Sequence, residues 1–387
     1  MLTSANFIES ASALGYDFYT GVPCSLIGPL ISRVSSGASP AYIGAASEGE
    51  AVCIAAGAWL AGRKTVVVLQ NSGLGNAVNP LTSLNAPFGI PTLMLVTWRG
   101  QPGSIDEPQH RVMGAITLSL LDLLGVDHRS IPVSNAELSD ALTAADISMS
   151  RSGRAFAFVV KDGDFVAEPL EVQPRSPFTE FGRRHDLREG ASLPKRSDMI
   201  AEFLASPHTD GLVVATTGKC GRELFTLSDR PQHFYQVGSM GGASGMALGL
   251  SLSTTAPVFV LDGDGAALMK LGTLSTIGAN ASSNLVHIVF DNGVYDSTGG
   301  QPTAGVTDFA GVALACGYKQ GISCDSAAGF AAALSLAARE SGPILIHARI
   351  APGTMKSVGR PTVSPQDVAL RFREHVLGLN RNAGILT

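Results

Sequence analysis

Short apolar runs rich in β-branched residues alternate with helix-like segments along most of this 387-residue chain. In the first half the runs are AYIGAA, KTVVVLQ, PTLMLVTW and RAFAFVVK, and in the second half they are GLVVATTG, HFYQVGS, PVFVLDGDG, LVHIVFDNG and PILIHARI. Continuous apolar runs separated by helices are typical of a parallel sheet that is covered on both faces. The pattern therefore predicts an α/β protein built from doubly wound parallel sheets.

The two sets of strands are separated by a segment whose hydrophobic positions follow neither the period of a helix nor that of a strand. Residues 168–195 are rich in proline and charge, so we predict a linker between a first domain, residues 1–167, and a second domain, residues 196–387. The length of the chain also favours two domains over one core. The N-terminal segment MLTSANFIESASALGYDF has acidic residues and no sustained apolar core, so it predicts a first helix rather than a signal peptide.

Composition argues against several classes of protein. Apolar residues make up 45% of the chain and charged residues 15%, and the net charge is −5, so we expect a soluble protein that does not bind nucleic acid. No segment is apolar over a length that would cross a membrane. The five cysteines lack metal-ligand spacing, which favours reduced thiols, no disulfide, no zinc and a cytoplasmic location.

Polar clusters follow two successive predicted strands of the second half. The run PVFVLDGDG ends in Gly263, Asp264 and Gly265, and LVHIVFDNG ends in Asn292 and Gly293. Right-handed crossovers make such strands parallel, so we expect both ends at the same edge of the sheet. Carboxylate and amide oxygens suit Mg²⁺, and glycines let a phosphate approach the backbone. Each pair alone is more often a turn, but two at successive strand ends favour a ligand site.

The arrangement of these clusters resembles the signature of thiamine diphosphate enzymes. In that family Gly-Asp-Gly is followed, after one further strand, by an asparagine pair; here Asp291 replaces the first asparagine. The resemblance implies the thiamine diphosphate-binding fold, with a pyrimidine-binding first domain, a diphosphate-binding second domain and no middle domain. It implies thiamine diphosphate and Mg²⁺ as cofactors, with Asp264, Asn292 and the backbone oxygen of Val294 as metal ligands.

The same resemblance implies roles for other residues around the cofactor. A glutamate that follows a short strand bonds the pyrimidine ring, and Glu48 in SEGEA takes that position, with Glu50 as the alternative. Both could instead fill the first turn of a helix, where acidic residues are favourable. Gly238 and Met240 match the glycine whose carbonyl meets the amino group of the cofactor and the apolar side chain that bends it. The residues predicted at the diphosphate are Thr217, Gly218, Gly265 and Ala266.

Several loops narrow the resemblance within the family. GVPCSLIGPL, QNSGLGNAVNPLTSL, WRGQPGSIDEPQH, TTGKCGREL, VGSMG and DSTGGQPT resemble the phosphonopyruvate decarboxylases, with the sulfopyruvate decarboxylases as near relatives. This resemblance implies non-oxidative decarboxylation of a small anionic 2-oxo acid, which needs cationic or N–H donors to bind it. His110 is our candidate for proton transfer beside Glu48. The predicted substrate-binding residues are Ser25, Asn76, Arg99, Lys219 and Arg222.

Assembly and function leave alternatives at this point. In the family the cofactor lies between the first domain of one subunit and the second domain of another, which implies a homodimer or a larger homo-oligomer. A carboligase with the same fold and cofactor is a second reading, because fold does not fix function. A nucleotide-binding oxidoreductase is a third, but it needs a Gly-x-Gly-x-x-Gly turn, and NSGLGNAV lacks the last glycine.

Overall fold

A computed structural model of the chain describes residues 1–37, 41–169, 182–190, 192–280 and 283–385. The chain divides into two compact units. The first unit comprises Met1–Trp59 and Arg63–Pro177, and the second comprises Leu60–Gly62 and Phe178–Thr387. The predicted linker, 168–195, lies partly outside the described residues, so the predicted domain boundaries stay a prediction.

A six-stranded parallel sheet forms the centre of the first unit. Its strands are β1 (Tyr16–Gly21), β2 (Ala41–Gly44), β3 (Lys64–Gln70), β4 (Leu93–Thr97), β5 (Asp127–Ser130) and β6 (Phe156–Val160). They lie in the order β2-β1-β3-β4-β6-β5, and every neighbouring pair is parallel. The helices are α1 (Ser4–Ala13), α2 (Gly28–Ser36), α3 (Glu48–Leu60), α4 (Leu74–Pro80), α5 (Ala86–Phe88), α6 (Arg111–Leu123) and α7 (Asn135–Ser152).

Strand β3 shows why this sheet reads as continuous apolar runs. Successive side chains of a strand point to opposite faces. Val66 and Val68 belong to one buried apolar cluster, whereas Val67 and Leu69 belong to a second cluster. Because both faces of the sheet are covered, the strand has no polar face.

A seven-stranded parallel sheet forms the centre of the second unit. Its strands are β7 (Arg183–Leu187), β8 (Leu212–Ala215), β9 (His233–Tyr235), β10 (Val258–Gly263), β11 (Leu285–Asp291), β14 (Gln320–Cys324) and β15 (Ile344–Arg349), and β12 (Val294–Tyr295) and β13 (Gln301–Pro302) form a separate hairpin. The strand order is β7-β14-β15-β11-β10-β8-β9. The helices are α8 (Arg196–Ala205), α9 (Lys219–Leu227), α10 (Ala243–Ser251), α11 (Asp264–Met269), α12 (Thr273–Asn280), α13 (Phe309–Ala315), α14 (Ala327–Ala337) and α15 (Pro365–Asn382).

The predicted α/β class and the nine predicted strands are confirmed, as is the first helix, α1. β10 and β11 are parallel neighbours, with Gly263 in register with Phe290. Their carboxyl ends therefore lie at one edge of the sheet, as predicted. The sequence reading missed β1, β5 and β14, and it assigned the residues of β7 to the linker, although β7 pairs with β14. Within the described residues, none of the helices combines the length and apolar character needed to cross a bilayer.

Candidate active site

A cavity of about 210 Å³ lies at the carboxyl ends of β8, β10 and β11 in the second unit. It brings together most of the residues that the sequence predicts for the cofactor and the metal. Gly238 and Arg222 do not line it. The predicted residues that do line it are Thr217, Gly218, Lys219, Met240, Asp264, Gly265, Ala266, Asn292 and Val294.

Asp264 begins α11, immediately after β10 ends. Its side chain is only 3% exposed, and Oδ2 accepts a hydrogen bond from Thr303 Oγ1 at 2.6 Å. Burial raises the pKa of Asp264, an effect that the Thr303 hydrogen bond partly opposes. A cation next to this carboxylate would favour its ionised form, so the site is electrostatically suited to a metal.

Asn292 follows β11 and is held at both ends of its side-chain amide. Its Nδ2 donates to Asp296 Oδ2 at 2.6 Å, and its Oδ1 accepts from the backbone N–H of Val294 at 3.2 Å. The preceding Asp291, where the family usually has asparagine, pairs with His347 Nε2 at 2.8 Å. The unusual carboxylate at position 291 therefore has its own partner on β15, the strand that lies beside β11 in the sheet.

The turn between β8 and α9 offers donors to the same cavity. Gly218 has a φ of +92°, a conformation that favours glycine, and it directly precedes α9. The Thr217 hydroxyl donates to the carbonyl of Val237 at 2.9 Å, whereas the buried hydroxyl of Thr216 has no hydrogen-bond partner among the described residues. Lys219 makes no ion pair within the described part of the chain. The turn therefore supplies an orphaned hydroxyl and an uncompensated positive charge.

The turn that carries Met240 is strained. Ser239, between Gly238 and Met240, has a φ of +52°, which is uncommon for a residue other than glycine. The side chain of Gln236 donates to the Ser239 carbonyl at 3.0 Å and so holds the turn. Strain of this kind concentrates at functional sites. Met240, the next residue, lines the cavity.

In the first unit the structure separates the two candidate glutamates, Glu48 and Glu50. Glu50 Oε2 accepts a hydrogen bond from the backbone N–H of Ala46 at 2.8 Å, and its own N–H donates to Ser47 Oγ at 3.3 Å. These contacts are those of a helix N-terminal cap. Glu48, 8% exposed, instead accepts from Asn76 Nδ2 at 2.8 Å. Its carboxylate is thus held by another segment rather than used as a cap.

Gly73 approaches Glu48 so closely that a side chain at position 73 would require the loop or the Glu48 carboxylate to move. A Cβ atom on Gly73 would lie 2.1 Å from Glu48 Oε1. Gly73 and Asn76 belong to the same QNSGLGN loop, which follows β3 and runs into the first turn of α4. Gly73 brings its backbone close to the carboxylate, and the Asn76 side chain donates to it. Asn76, predicted to bind substrate, therefore has Glu48 as its partner in the structure.

Ser25 and Arg99 line a second cavity of the first unit, of about 410 Å³. The Arg99 guanidinium binds both carboxylate oxygens of Asp106, at 2.8 and 2.5 Å, and donates to Ser25 Oγ at 3.3 Å. This hydrogen bonding holds the pKa of Asp106 well below its usual range. The charge of Arg99 is thus already compensated within its loop. His110, buried at the start of α6, lies against Gly100 of the same loop.

Arg222 is also engaged. Its Nε and Nη2 donate to the carbonyls of Gly359 and Val358 at 3.0 and 3.2 Å. It lines a separate cavity of about 510 Å³ that shares Thr217 and Gly218 with the smaller one. Of the three predicted cationic substrate ligands, only Lys219 points to the 210 Å³ cavity without a partner.

Several residues of these sites were missed in the sequence. Thr216 and Gly73 stand beside predicted residues, in TTG and QNSG, and the motifs themselves could have indicated them. Thr303 was quoted in DSTGGQPT but given no role. Asp296, which also lines the 210 Å³ cavity, is the first residue of the same DSTGGQPT motif, and no role was predicted for it either. Arg196, a further lining residue, follows no local motif and became recognisable only in the folded chain.

Comparison with known families assigns both halves of the chain. Residues 1–117 match the family "Thiamine pyrophosphate enzyme, N-terminal TPP binding domain", and residues 216–348 match "Thiamine pyrophosphate enzyme, C-terminal TPP binding domain". The two matches follow the division of the chain into units. The predicted cofactor-binding fold is confirmed by them.

Two relatives align with this chain over nearly its whole length. A phosphonopyruvate decarboxylase of Streptomyces viridochromogenes is 46% identical over 97% of this chain and 95% of its own length. A sulfopyruvate decarboxylase of Methanosarcina acetivorans is 30% identical over 95% of this chain and 96% of its own. Among solved structures, the benzoylformate decarboxylase of Polynucleobacter necessarius has a TM-score of 0.69 at 14% identity, covering 93% of this chain and 100% of that one, and shows a shared fold. The chain therefore belongs to the thiamine pyrophosphate enzymes, in the group that includes the phosphonopyruvate and sulfopyruvate decarboxylases.

Proposed function

We propose that this protein decarboxylates 3-phosphonopyruvate without oxidation, giving phosphonoacetaldehyde and CO2, with thiamine diphosphate and Mg²⁺ bound. The observation that carries the proposal is the convergence of Asp264, Asn292 and Val294 with the Thr217-Gly218 turn on one cavity. The choice of substrate is supported by the 46% identity to a phosphonopyruvate decarboxylase along nearly the whole chain.

The residues of the 210 Å³ cavity fit a diphosphate. The buried Thr216 hydroxyl has no hydrogen-bond partner in the part of the chain that the structure describes, and it can donate to a phosphate oxygen. A Cβ atom on Gly263 would meet no protein atom within 4 Å, so the backbone is open to a ligand there. Lys219, at the start of α9, adds a positive charge that would compensate a diphosphate.

The donor set also fits Mg²⁺ rather than a softer metal. Asp264 and Asn292 supply hard oxygen donors, and Val294 supplies a backbone carbonyl. The described residues contain no group of three or more His, Cys, Asp or Glu side chains that could hold a metal by themselves. A single carboxylate with neutral oxygens leaves coordination positions of Mg²⁺ open for phosphate oxygens and water, which is how this ion is often bound.

The cofactor, when bound, supplies the electron sink for the bonding pair released as CO2 leaves. In this chain the proposed task of Glu48 is to exchange a proton with the pyrimidine ring. Asn76 fixes the orientation of the carboxylate through its hydrogen bond, and Gly73 allows the loop to exclude water from one of its sides. His110 is proposed to supply a proton to the product, because neutral imidazole works near pH 7.

Among the predicted substrate ligands, Lys219 has the strongest structural support as an anion donor, because it lines the 210 Å³ cavity and makes no ion pair with any described residue. Arg99 can still donate through its remaining N–H groups, but Asp106 compensates its charge. Ser25 lies beside it as a neutral donor. We therefore propose that Lys219 contributes more to anion binding than Arg99 or Arg222.

We further propose a homodimer or larger homo-oligomer. Helix α6 exposes Val112, Ile116, which is one turn further along, and Leu123, which is two turns beyond Ile116. Their exposed fractions are 70%, 43% and 84%. Apolar side chains aligned on one helix face are typical of a surface that a second subunit covers. Sedimentation of the purified protein tests this, and a monomer with full activity would contradict it.

The decisive experiment measures CO2 release from phosphonopyruvate, sulfopyruvate and pyruvate, with and without thiamine diphosphate and Mg²⁺. We expect cofactor-dependent release that is fastest with phosphonopyruvate. Faster release from sulfopyruvate would assign the second candidate function, which the relative of Methanosarcina acetivorans supports. Cofactor binding without release from any of the three acids would instead favour a carboligase, and no cofactor binding would overturn the proposed site.

A further inference from the structure

A group of buried charges lies directly behind the proposed metal ligand Asn292. Arg196 is 6% exposed and Glu223 is fully buried, and the side chain of Asp296 is 10% exposed. Desolvating three charges costs more than an ion pair usually returns, so such groups are weak evidence for stability. We name Asn292, Asp296, Arg196 and Glu223 the arginine network.

The contacts of the arginine network run in one direct chain. Asp296 Oδ2 accepts from both Asn292 Nδ2, at 2.6 Å, and Arg196 Nη2, at 2.5 Å. The other oxygen, Oδ1, accepts from the backbone N–H of Gly353 at 3.0 Å. Arg196 Nη1 in turn lies 3.5 Å from Glu223 Oε1. Both oxygens of Asp296 are thus used, and its carboxylate cannot rotate without breaking three contacts.

Glu223 holds the far end of the network. Its Oε1 also accepts from the hydroxyl of Thr354 at 2.7 Å and the backbone N–H of Met355 at 3.2 Å. Helices α8 and α9 and the segment after β15 are therefore tied to one another through Arg196 and Glu223. Glu223 therefore helps to hold the Arg196 guanidinium in the position from which it donates to Asp296.

The carboxylate of Asp296 decides which way the Asn292 amide faces. An amide turned by 180° would place its oxygen 2.6 Å from a carboxylate oxygen, where both atoms carry negative charge and neither can donate. Nδ2 must therefore face Asp296, and Oδ1 must face away from it. Oδ1 accepts only the long contact from Val294 and has a further lone pair to offer.

We propose that Asp296 is a positioning residue that turns Asn292 Oδ1 toward the divalent cation, and that Arg196, held by Glu223, keeps Asp296 in place. This inference rests on the cation site proposed above. Partners of this kind orient metal ligands, and losing one typically lowers metal affinity by about 10- to 100-fold. The role also explains why the chain keeps charged groups in a position where packing alone would favour apolar ones.

The test measures binding of Mn²⁺ by electron paramagnetic resonance, in place of Mg²⁺ and with saturating thiamine diphosphate. Asp296→Asn, Asn292→Ala and the double variant form a thermodynamic cycle. We expect each single variant to weaken Mn²⁺ binding about 10- to 100-fold. The double variant should bind about as weakly as Asn292→Ala, because Asp296 acts only through Asn292. Asp229→Asn, which breaks a pair with Arg371 elsewhere in the second unit, is the matched control and should bind Mn²⁺ normally.

Two outcomes overturn the proposal. One is wild-type Mn²⁺ affinity in Asp296→Asn. The other is a fold-loss of Mn²⁺ affinity in the double variant that equals the product of the fold-losses in the two single variants. Wild-type affinity in Asn292→Ala would instead refute the proposed cation site, which keeps the two failures distinct. Circular dichroism of the metal-free proteins reports folding. If Asp296→Asn does not fold, Arg196→Lys takes its place in the cycle, since lysine keeps the buried positive charge and loses the second donor to the network.

Discussion

The two units place their proposed catalytic groups by different means. In the first unit the QNSGLGN loop alone positions Glu48: Asn76 donates to its carboxylate, and Gly73 brings the backbone against it. In the second unit Asn292 depends on residues from α8, α9 and the segment after β15. A carboxylate that accepts protons can be oriented by close packing, whereas an amide that must present one specified atom needs a charged partner to distinguish oxygen from nitrogen.

The strongest way to break the first-unit site is to remove its charge. Glu48→Gln should lower kcat by about 10²- to 10⁴-fold, the usual contribution of an acid–base group, while thiamine diphosphate still binds. Steady-state kinetics and calorimetric titration of the cofactor check this. Glu50→Gln is the matched control, because Glu50 caps α3; it should cost about 1 kcal/mol of unfolding free energy and leave kcat near the wild-type value.

The packing around Glu48 can be tested without substituting Glu48 itself. Gly73→Ala places a methyl group 2.1 Å from Glu48 Oε1, so the loop or the carboxylate must move. A displacement of about 1 Å costs about 10²-fold in rate, and we expect kcat to fall by that amount. Gly75→Ala, in the same loop, meets no atom within 4 Å and should leave the rate unchanged. Equal rates in both variants would show that the close approach has no role.

Substitutions at the two glycines of the Gly-Asp-Gly turn should distinguish an effect on the stability of the second unit from an effect on cofactor binding. Gly265→Ala brings a methyl group within 2.3 Å of the Tyr295 ring, and overpacking of this kind should lower the unfolding free energy by about 1–3 kcal/mol. Gly263→Ala meets no protein atom, so the metal-free protein should keep its Tm but bind thiamine diphosphate more weakly. Thermal unfolding and calorimetry distinguish the two, and a Gly263→Ala protein with normal affinity would contradict the proposed cradle.

Acid sensitivity should arise from the second unit through His233. Burial lowers the pKa of this imidazole from 6.5 to about 4, despite a hydrogen bond to the Ser228 carbonyl. The unfolded chain therefore takes up a proton first, and stability is lost between about pH 6.5 and pH 4, by at most about 1.4 kcal/mol per pH unit. His233→Gln should flatten this slope in denaturant titrations. A slope in His233→Gln equal to that of the wild-type protein would contradict this assignment.

Most strands inside the sheets were predictable because they are apolar on both faces, but two of the four edge strands, β5 and β7, were not. β7 has the sequence RRHDL and β5 has DHRS, and both lie at an edge of their sheet with most side chains in solvent. Such strands are held by backbone hydrogen bonds to one neighbour, so they need no apolar run. A pattern of hydrophobic positions therefore finds apolar edge strands such as β9, HFY, and misses polar ones. It also misses β1 (YDFYTG) and β14 (QGISC), which lie inside their sheets but carry polar residues within the run.

The candidate site divides in the same way. Asp264, Asn292 and Glu48 stand in compact motifs, where glycines and acids adjoin in sequence, and so they could be proposed from the sequence. Arg196 lies 100 positions from its partner Asp296. Its burial depends on tertiary packing, since an arginine at the start of a helix is ordinarily exposed. Long-range polar partners of this kind leave no local signal.

The separation of the two sheets has a consequence for how such a protein can be encoded. Every strand of the first sheet ends by Val160, and every strand of the second begins at or after Arg183. A gene interrupted between these points would yield two polypeptides, each with all the strands of its own sheet. Because β7 lies at the border of the second sheet, the second reading frame would have to start upstream of Arg183 to retain it. Fission of one gene into two, or fusion of two into one, would thus leave every strand pairing intact.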